Sequence, residues 1–164
     1  MSKKIHTISF LVANKPGVLV RVALVFAKRG YNIDSLVVSP SFNEKYSRMT
    51  IAAQGDLATL DQIIKQAGKL IDVLNVSEHP PENAIEKEFA LLKIRCKPQQ
   101  KAALQKILKE YKAHILDSTN GAVIIEHVGT TVKLNELEIT LKKYGLIEMV
   151  RTGKVLMVRG KETT

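Results

Sequence analysis

The sequence predicts an α+β protein made of two consecutive βαββαβ units, each with the ferredoxin-like order of elements. In the first half of the 164 residues, a segment in which hydrophobic side chains recur with a period of two, as in a strand, is followed by one with a period of about 3.6, as in a helix. This succession of strand and helix patterns then occurs again in the same half. The second half shows the same order with one further strand. Between the halves lies the sole Pro-Pro pair, Pro80-Pro81, which suits neither a helix interior nor a central strand.

The first unit opens with a strand followed by a helix. Side chains alternate from Thr7 to Val12, and the strand stops at the turn Asn14 to Gly17. Pro16 fits the first turn of a helix, and Gly30 fits a left-handed end. The apolar positions of this helix are Val18, Leu19, Val22 and Phe26.

A strand pair and a second helix complete the first unit. The strands Ile33 to Val38 and Arg48 to Ala53 flank the polar turn Pro40 to Lys45. Asp56 can cap the helix, and Val73 to Val76 supply a last strand. The predicted apolar face of the helix is Leu57, Leu60, Ile64, Ala67 and Ile71.

The second unit repeats this order. Phe89 to Cys96 is predicted as a strand, and Asn120-Gly121 is a strong two-residue hairpin signal. A helix is predicted over Thr131 to Tyr144. The helix that precedes the hairpin has its apolar face at Ala103, Leu104, Ile107, Leu108 and Tyr111. The two strands of the hairpin are predicted at His114 to Leu116 and Ala122 to Glu126. Two further strands, Ile147 to Val150 and Val155 to Val158, complete the unit.

We therefore expect a first domain over residues 1–79, a linker over residues 80–84 and a second domain over residues 85–164. Each domain is near the lower end of the usual size range, so that pairing with a second copy would help to stabilise it. An exposed edge strand of the first domain is expected to take part in that pairing, because its unpaired backbone groups need partners.

Composition narrows the class of protein. The chain is 45% hydrophobic and 25% charged, which is typical of a globular protein and excludes predominant disorder. The single cysteine, Cys96, excludes an intramolecular disulfide framework and a zinc site built from cysteines, and it indicates a reducing compartment. No stretch approaches the roughly 20 apolar residues of a membrane span. We expect a cytoplasmic protein without a membrane partner.

The formal charge of +9 raises the question of nucleic acid. A nucleic-acid interface usually concentrates its Lys and Arg where phosphates lie, and RNA-binding sheets add exposed aromatic residues. Here the positive excess is +4 in residues 1–80 and +5 in residues 81–164, and aromatic residues make up only 5% of the chain. An evenly basic surface explains the charge, and no nucleic-acid partner is expected.

The chemistry-bearing residues form no catalytic or metal-binding pattern. His6, His79, His114 and His127 are scattered without ligand-like spacing. Cys96 has no evident base beside it, so that a structural thiol is expected in place of a nucleophile. The acidic residues Glu136, Glu138 and Glu148 are expected on solvated faces. The sequence predicts neither a catalytic centre nor a metal site.

The turn at Gly17 has the chemistry of an anion site. A helix that begins there presents unpaired backbone N–H groups and the positive end of its dipole, which suits a carboxylate or a phosphate. Gly17 has no Cβ, and Asn32 offers both a donor and an acceptor. The alternative on spacing alone is an ordinary turn without a ligand.

Several blocks of the sequence resemble the small regulatory subunit of acetolactate (acetohydroxyacid) synthase, across almost the whole chain. The block Asn14 to Val22 alone would indicate only an ACT domain, the amino-acid-sensing version of this fold. The block Arg29 to Leu36, in contrast, is specific to the small subunits. The blocks are Asn14 to Val22, Arg29 to Leu36, Ser47 to Ile51, Gln62 to Gln66, Lys69 to Val73, Leu91 to Ile94, Gly129-Thr130 and Arg151 to Gly160.

The resemblance implies a regulatory role without catalysis. Members of this family bind a catalytic subunit that uses thiamine diphosphate, Mg²⁺ and FAD; they raise its activity and confer feedback inhibition by valine or another branched-chain amino acid. Their ACT domains pair into a homodimer with effector sites at the interface. The effector residues implied here are Asn14, Gly17, Val18 and Leu19 from one copy with Asn32 and Ile33 from the other.

Other interpretations remain at this point. Ala13 and Lys15 stand where the family often has acidic residues, and Val37 stands where a hydroxyl residue is frequent, so the identity of the effector is open. A free-standing ACT-type sensor acting on transcription is the alternative function, against which count the dispersed charge and the missing helix-turn-helix pattern. An enzyme in its own right would need an acid, base or nucleophile pattern that the sequence lacks.

Overall fold

The computed structural model describes residues 5–164, and the predicted α+β class with two βαββαβ units is confirmed. The predicted strands and helices of the first half are all present. Their bounds are β1 Ile5–Ala13, α1 Val18–Ala27, β2 Ile33–Pro40, β3 Tyr46–Gln54, α2 Leu57–Ala67 and β4 Val73–Glu78.

The first four strands form one antiparallel sheet in the order β2-β3-β1-β4, so that β2 and β4 are its edges. The central strand β1 lies between β3 and β4, with Ile8 opposite Ile51 on one side. Both helices cover the same face of the sheet, where the core is built from alternate strand residues and the apolar stripes of the helices. Its largest fully buried side chains are Phe10, Phe26, Ile8, Ile51, Leu60 and Ile63.

The ends of the helices follow local chemistry. Gly30 takes φ +69°, and the N–H groups of Gly30 and Tyr31 donate to Ala27 O and Phe26 O, which is a Schellman ending of α1. Asp56 caps α2, since its Oδ1 accepts a hydrogen bond of 2.9 Å from the N–H of Thr59. That bond also holds the pKa of Asp56 below its ordinary value.

The second half forms a separate antiparallel sheet in the order β6-β7-β5-β8, and β9 pairs with β5. The predicted hairpin is confirmed, because Asn120 and Gly121 both have positive φ, as a tight two-residue turn requires. The bounds are β5 Ala84–Arg95, α3 Lys101–Tyr111, β6 His114–Thr119, β7 Ala122–Gly129, α4 Thr131–Lys142, β8 Leu146–Arg151 and β9 Val155–Val158.

The expected apolar face of α2 is wrong at both ends. The helix ends at Ala67, so that Ile71 lies in the following turn and is 98% exposed. Leu57, the first helical residue, is 63% exposed. Ile63, which the periodicity did not select, is fully buried. The 3.6-residue pattern continued into a turn that no longer has helical geometry.

Contacts divide the chain into two compact units: the described residues up to Glu86 together with Gly153–Thr164, and Lys87–Thr152. The domain bounds 1–79, 80–84 and 85–164 stay a prediction from sequence. Within the first unit, the closing segment Gly153–Thr164 lies against three strands of the sheet. Lys154 Nζ donates to Thr7 Oγ1 at 3.2 Å, Arg48 donates to the backbone oxygen of Thr164, and a Cβ on Gly153 would stand 2.5 Å from that of Ser35.

Candidate effector site

The turn between β1 and α1 is fixed by hydrogen bonds to the loop that joins β2 and β3. The backbone N–H of Asn14 donates to Lys45 O at 2.8 Å. Its side-chain Nδ2 donates to Glu44 O at 2.9 Å. Asn14 therefore holds the turn in place, at the end of the sheet where β2 finishes.

Gly17 stands at the N-cap of α1 with φ +81°, a conformation that strains any residue with a Cβ. It gives the helix no side-chain cap. The first-turn N–H groups of a helix lack intrahelical partners. The N–H of Val18 makes only a long bond of 3.4 Å to Lys15 O. The turn thus presents backbone donors at the positive end of the α1 dipole.

Arg21 lies directly beside this turn. A Cβ built on Gly17 would stand 3.2 Å from Arg21 Nη1. The other terminal nitrogen, Nη2, donates to Asp72 Oδ2 at 2.5 Å. Lys15 Nζ lies 4.0 Å from Asp72 Oδ1. The turn is consequently flanked by two cations that share one carboxylate, which leaves a net positive charge for an anionic ligand.

Arg21 and Asp72 are not among the site residues that the sequence predicts. Arg21 could have been found, because residues four apart lie on the same helix face and Gly17 precedes it by that spacing. Asp72 follows α2 and is 51 residues from Arg21. No local pattern of the sequence indicates that distant partner.

The other expected residues lie in different environments. The Val18 side chain is 3% exposed and belongs to the core, so that only its backbone faces the turn. The side chain of Leu19 is 39% exposed and remains available at the surface. Ile33, at the start of β2, is half-buried and packs against the same core.

Asn32 lies at the opposite end of α1 from Gly17. The helix has 10 residues and therefore spans about 15 Å. The exposed Asn32 donates through Nδ2 to Asp34 Oδ1 at 2.9 Å. Within one copy of the chain, the structure does not bring Asn32 and Ile33 to the turn at Gly17.

The equivalent turn of the second unit has a different structure. Pro98–Gln100 form a short 3₁₀ turn before α3, and Lys97 at its N-cap has extended backbone dihedrals. No residue of this turn has positive φ, in contrast to Gly17. The geometry that suits an anion in the first unit is therefore missing from its counterpart.

The main polar cluster of the second unit is buried. Glu88, 4% exposed, accepts from Nε and Nη2 of Arg151 at 3.0 and 2.6 Å and from the hydroxyl of Thr131. Arg151 Nη1 donates to Asn135 Oδ1 at 2.7 Å. These bonds tie β5, β8 and α4 together. The cluster is an internal structural element with no free donor set aimed at a ligand.

A buried histidine lies on the helix-covered face of β7. His127 is 6% exposed and packs edge-on against the ring of Tyr111. Burial lowers the pKa of His127, and the nearby charges of Lys133, Lys87 and His114 lower it further. The imidazole is consequently neutral at physiological pH and serves packing.

Over residues 5–164, no group of three or more His, Cys, Asp or Glu side chains has a geometry suited to a metal ion. The helices in this range are too short or too polar to cross a membrane. The chemistry available at the Gly17 turn is the binding of an anionic group by backbone N–H donors and an arginine.

The fold and this turn define a protein of the ACT class. Residues 8–75 match the family model described as the AHAS small subunit-like ACT domain, and residues 87–160 match that of the small subunit of acetolactate synthase. The chain belongs to the acetolactate synthase small-subunit family.

Individual relatives match over nearly their full length. A protein of Archaeoglobus fulgidus named "Probable acetolactate synthase small subunit" is 41% identical over 96% of this chain and 98% of its own length. The acetolactate synthase small subunit of Mycobacterium bovis is 36% identical over 98% and 95%. The crystal structure of that subunit from Thermotoga maritima superposes with a TM-score of 0.88 at 38% identity, covering 97% of this chain and 99% of that one.

Proposed function

We propose that this chain is the regulatory subunit of an acetolactate synthase, which raises the activity of a catalytic subunit and makes it sensitive to valine or another branched-chain amino acid. Membership of the small-subunit family supports the subunit role. The observation that carries the effector role is the left-handed Gly17 at the start of α1 with the Arg21 guanidinium beside it. Thiamine diphosphate, Mg²⁺ and FAD belong, in this proposal, to the catalytic subunit.

The effector carboxylate would occupy the turn. Backbone N–H groups at Val18 and Leu19 supply donors, and Arg21 adds a charge-assisted contact. Leu19, which is exposed, offers an apolar surface for the branched side chain. Valine carries the charge and the compact apolar group that these partners suit.

Pairing of two copies would complete the site. Strand β2 is an edge of its sheet, and Asn32 immediately precedes it. If two β2 strands pair in antiparallel fashion about a two-fold axis, the start of one strand lies beside the end of the other. The Gly17 turn lies at the end of β2, since Asn14 is bonded to Glu44 and Lys45. Such pairing would bring Asn32 and Ile33 of the second copy toward the turn.

The test combines the chain with the catalytic subunit of the same organism. We expect the two proteins to co-elute, the rate of acetolactate formation to rise, and valine to reduce that rate. A chain that neither co-elutes nor changes the rate contradicts the subunit role. Activation that valine does not reduce would keep the subunit role and remove the effector claim. Static light scattering of the isolated chain tests the homodimer.

A further inference from the structure

Tyr31 directly precedes Asn32, which the proposed effector site takes from the second copy of the chain. Both residues lie in the short connection between α1 and β2. Asn32 is exposed, whereas Tyr31 is half-buried and packs against the core of the first unit. Because the peptide unit that joins them is planar and rigid, the position of Tyr31 limits the positions open to Asn32.

The aromatic ring of Tyr31 lies directly on the backbone of Gly55. A Cβ built on Gly55 would stand 1.9 Å from Tyr31 Cζ and 2.1 Å from its Cε1 and its hydroxyl oxygen. Gly55 does not have a positive φ, so that its backbone conformation alone does not require glycine. The close approach of the ring is therefore the reason that this position needs a residue without a Cβ.

The hydroxyl group of Tyr31 makes a second contact at the same place. It donates a hydrogen bond of 2.5 Å to the backbone oxygen of Asp56, the N-cap of α2. Burial raises the pKa of Tyr31, and the negative charge of Asp56 raises it further. The hydroxyl group consequently keeps its proton for this bond throughout the physiological pH range.

These contacts lie where the ladder between β2 and β3 gives the least support. In the first ladder pair of β2, Ile33 is opposite Ala53, and the register shifts between Ile33 and Ser35. A register shift leaves a residue unpaired and disrupts the ladder locally. The Tyr31 side chain packs on the residues that directly follow β3, so that it anchors the start of β2 beyond the end of the regular ladder.

The anchor is distant from the Gly17 turn of the same chain. Gly17 caps the N-terminus of α1, whereas Tyr31 follows its C-terminus, and the 10 residues between them span about 15 Å. A direct effect of Tyr31 on effector binding is therefore expected in the site that contains Gly17 of the second copy.

We propose that Tyr31 is a positioning residue of the effector site, whose contacts with Gly55 and Asp56 hold Asn32 in the place that the turn of the second copy requires. This inference rests on the proposed function. A fixed Asn32 contributes its contact without the cost of ordering a free segment on binding. Tyr31 thus acts on valine affinity in the other copy, and it does so through Asn32.

Calorimetry of valine binding to the full chain compares changes of this anchor with wild type. Tyr31→Leu removes the ring and Gly55→Ala displaces it, and each should weaken valine binding about tenfold, the cost of ordering one or two side chains. Tyr31→Phe keeps the ring on Gly55 and should bind within about threefold of wild type. The double variant Gly55→Ala/Tyr31→Leu should bind no more weakly than Tyr31→Leu, because both changes remove the same contact.

Heterodimers show in which copy Tyr31 acts. Two differently tagged chains are co-expressed, and the mixed dimer is isolated through both tags. With Gly17→Asp in one chain and Tyr31→Leu in the other, one site combines an intact turn with an intact Asn32 segment, so that one site of wild-type affinity is expected. With both changes in one chain and none in the other, each site has one defect, and no site of wild-type affinity is expected. Action of Tyr31 on the turn of its own chain would reverse these two results.

Tyr144→Leu is the matched control. Tyr144 is likewise half-buried and packs against the core of the second unit, and its loss should leave valine affinity within about twofold of wild type. Light scattering and the thermal midpoint are measured for every variant. If Tyr31→Leu does not fold, Gly55→Ala takes its place in the heterodimers. A loss of affinity that accompanies dissociation of the homodimer would assign the ring to pairing and overturn the proposal.

Folded anchor variants that bind valine as tightly as wild type, or heterodimers with the reversed pattern, would also overturn this proposal and leave the proposed function intact. A wild-type chain that does not bind valine contradicts the proposed effector role itself, and the positioning role with it. The two failures are therefore distinguishable.

Discussion

Each unit of the chain holds one arginine against one carboxylate, and the two pairs differ in exposure. In the first unit the Arg21 side chain is 45% exposed and touches Asp72 through one nitrogen. In the second unit the side chains of Arg151 and Glu88 are 21% and 5% exposed, and all three guanidinium nitrogens of Arg151 are bonded. One arginine is fully committed to the fold, whereas the other retains donors for a ligand.

The turns that precede the first helix of each unit, α1 and α3, also differ, and again only the first unit has the geometry that suits a ligand. Gly17 adopts a left-handed conformation next to the exposed arginine, while Pro98–Gln100 form a regular 3₁₀ turn. A repeated topology therefore does not imply a repeated function. The proposed binding chemistry depends on one glycine and one arginine that the second unit lacks at the equivalent turn.

The largest expected effect tests the buried pair. Glu88→Gln leaves the Arg151 charge without its carboxylate in a buried site, which should lower the free energy of unfolding by about 3 kcal/mol. Asp72→Asn removes the carboxylate of the more exposed pair and should cost at most about 1 kcal/mol. Urea unfolding followed by circular dichroism measures both. Equal losses in the two variants would contradict the assignment of different roles to the two pairs.

The next effect concerns the turn at Gly17. Gly17→Asp and Gly17→Asn add side chains of nearly equal size at the same positive φ, but only the aspartate places a negative charge where the effector carboxylate is proposed to bind. We expect the aspartate variant to bind valine at least tenfold more weakly than the asparagine variant, about 1.4 kcal/mol. Calorimetry on the isolated chain measures this difference.

A matched change in the second unit sharpens that result. Gln99→Asp introduces the same charge into the equivalent turn, where no anion is expected, and valine affinity should remain within about twofold of wild type. If Gly17→Asp binds valine as tightly as wild type, the effector site lies elsewhere on the chain.

The smallest effect distinguishes the caps of the two helices that follow a hairpin. The pKa of Asp56 is lowered from its ordinary value of 3.8, chiefly by the N–H of Thr59. Its contribution to stability is thus complete above that value and is lost as the pH falls through the lower pKa of the folded protein. Thr130, the cap of α4, accepts a longer bond of 3.4 Å from Lys133 and does not titrate.

Unfolding midpoints between neutral pH and about pH 2.5 reveal this contrast. Asp56→Asn keeps a capping side chain, so that it should be close to wild type at neutral pH and should lose less stability in acid. Thr130→Ala should lower stability by about 1 kcal/mol without changing the pH dependence. An unaltered acid response of Asp56→Asn would show that the cap carboxylate does not contribute to it.

Features set by a few neighbouring residues were predictable from the sequence. Gly30 ends α1, Asp56 begins α2, and Asn120-Gly121 forms the hairpin turn, because each depends on backbone chemistry within one helical turn or one loop. Ile71 shows where this local reasoning stops. Its spacing fits the helix, but the chain has already turned after Ala67.

The part of the structure that could not be predicted depends on distant contacts. Glu88 and Arg151 are 63 residues apart, and Thr7 and Lys154 are 147 apart. Hydrophobic periodicity assigns residues to faces but carries no information about which polar side chains meet. For the same reason the position of the Gly17 turn was predictable, whereas the Arg21–Asp72 pair beside it was not.

The placement of Gly153–Thr164 has a consequence for synthesis of the chain. The first unit needs this segment, yet the ribosome makes it only after all of Lys87–Thr152. The sheet of the first unit can pair its strands early. Its small buried side chains Thr7, Ser9 and Ala52, which are 5%, 3% and 3% exposed, nevertheless belong to a unit that is complete only after Gly153–Thr164 has been made. The unit whose synthesis begins first is therefore completed only after the second unit has been made, and its maturation is coupled to synthesis of that second unit.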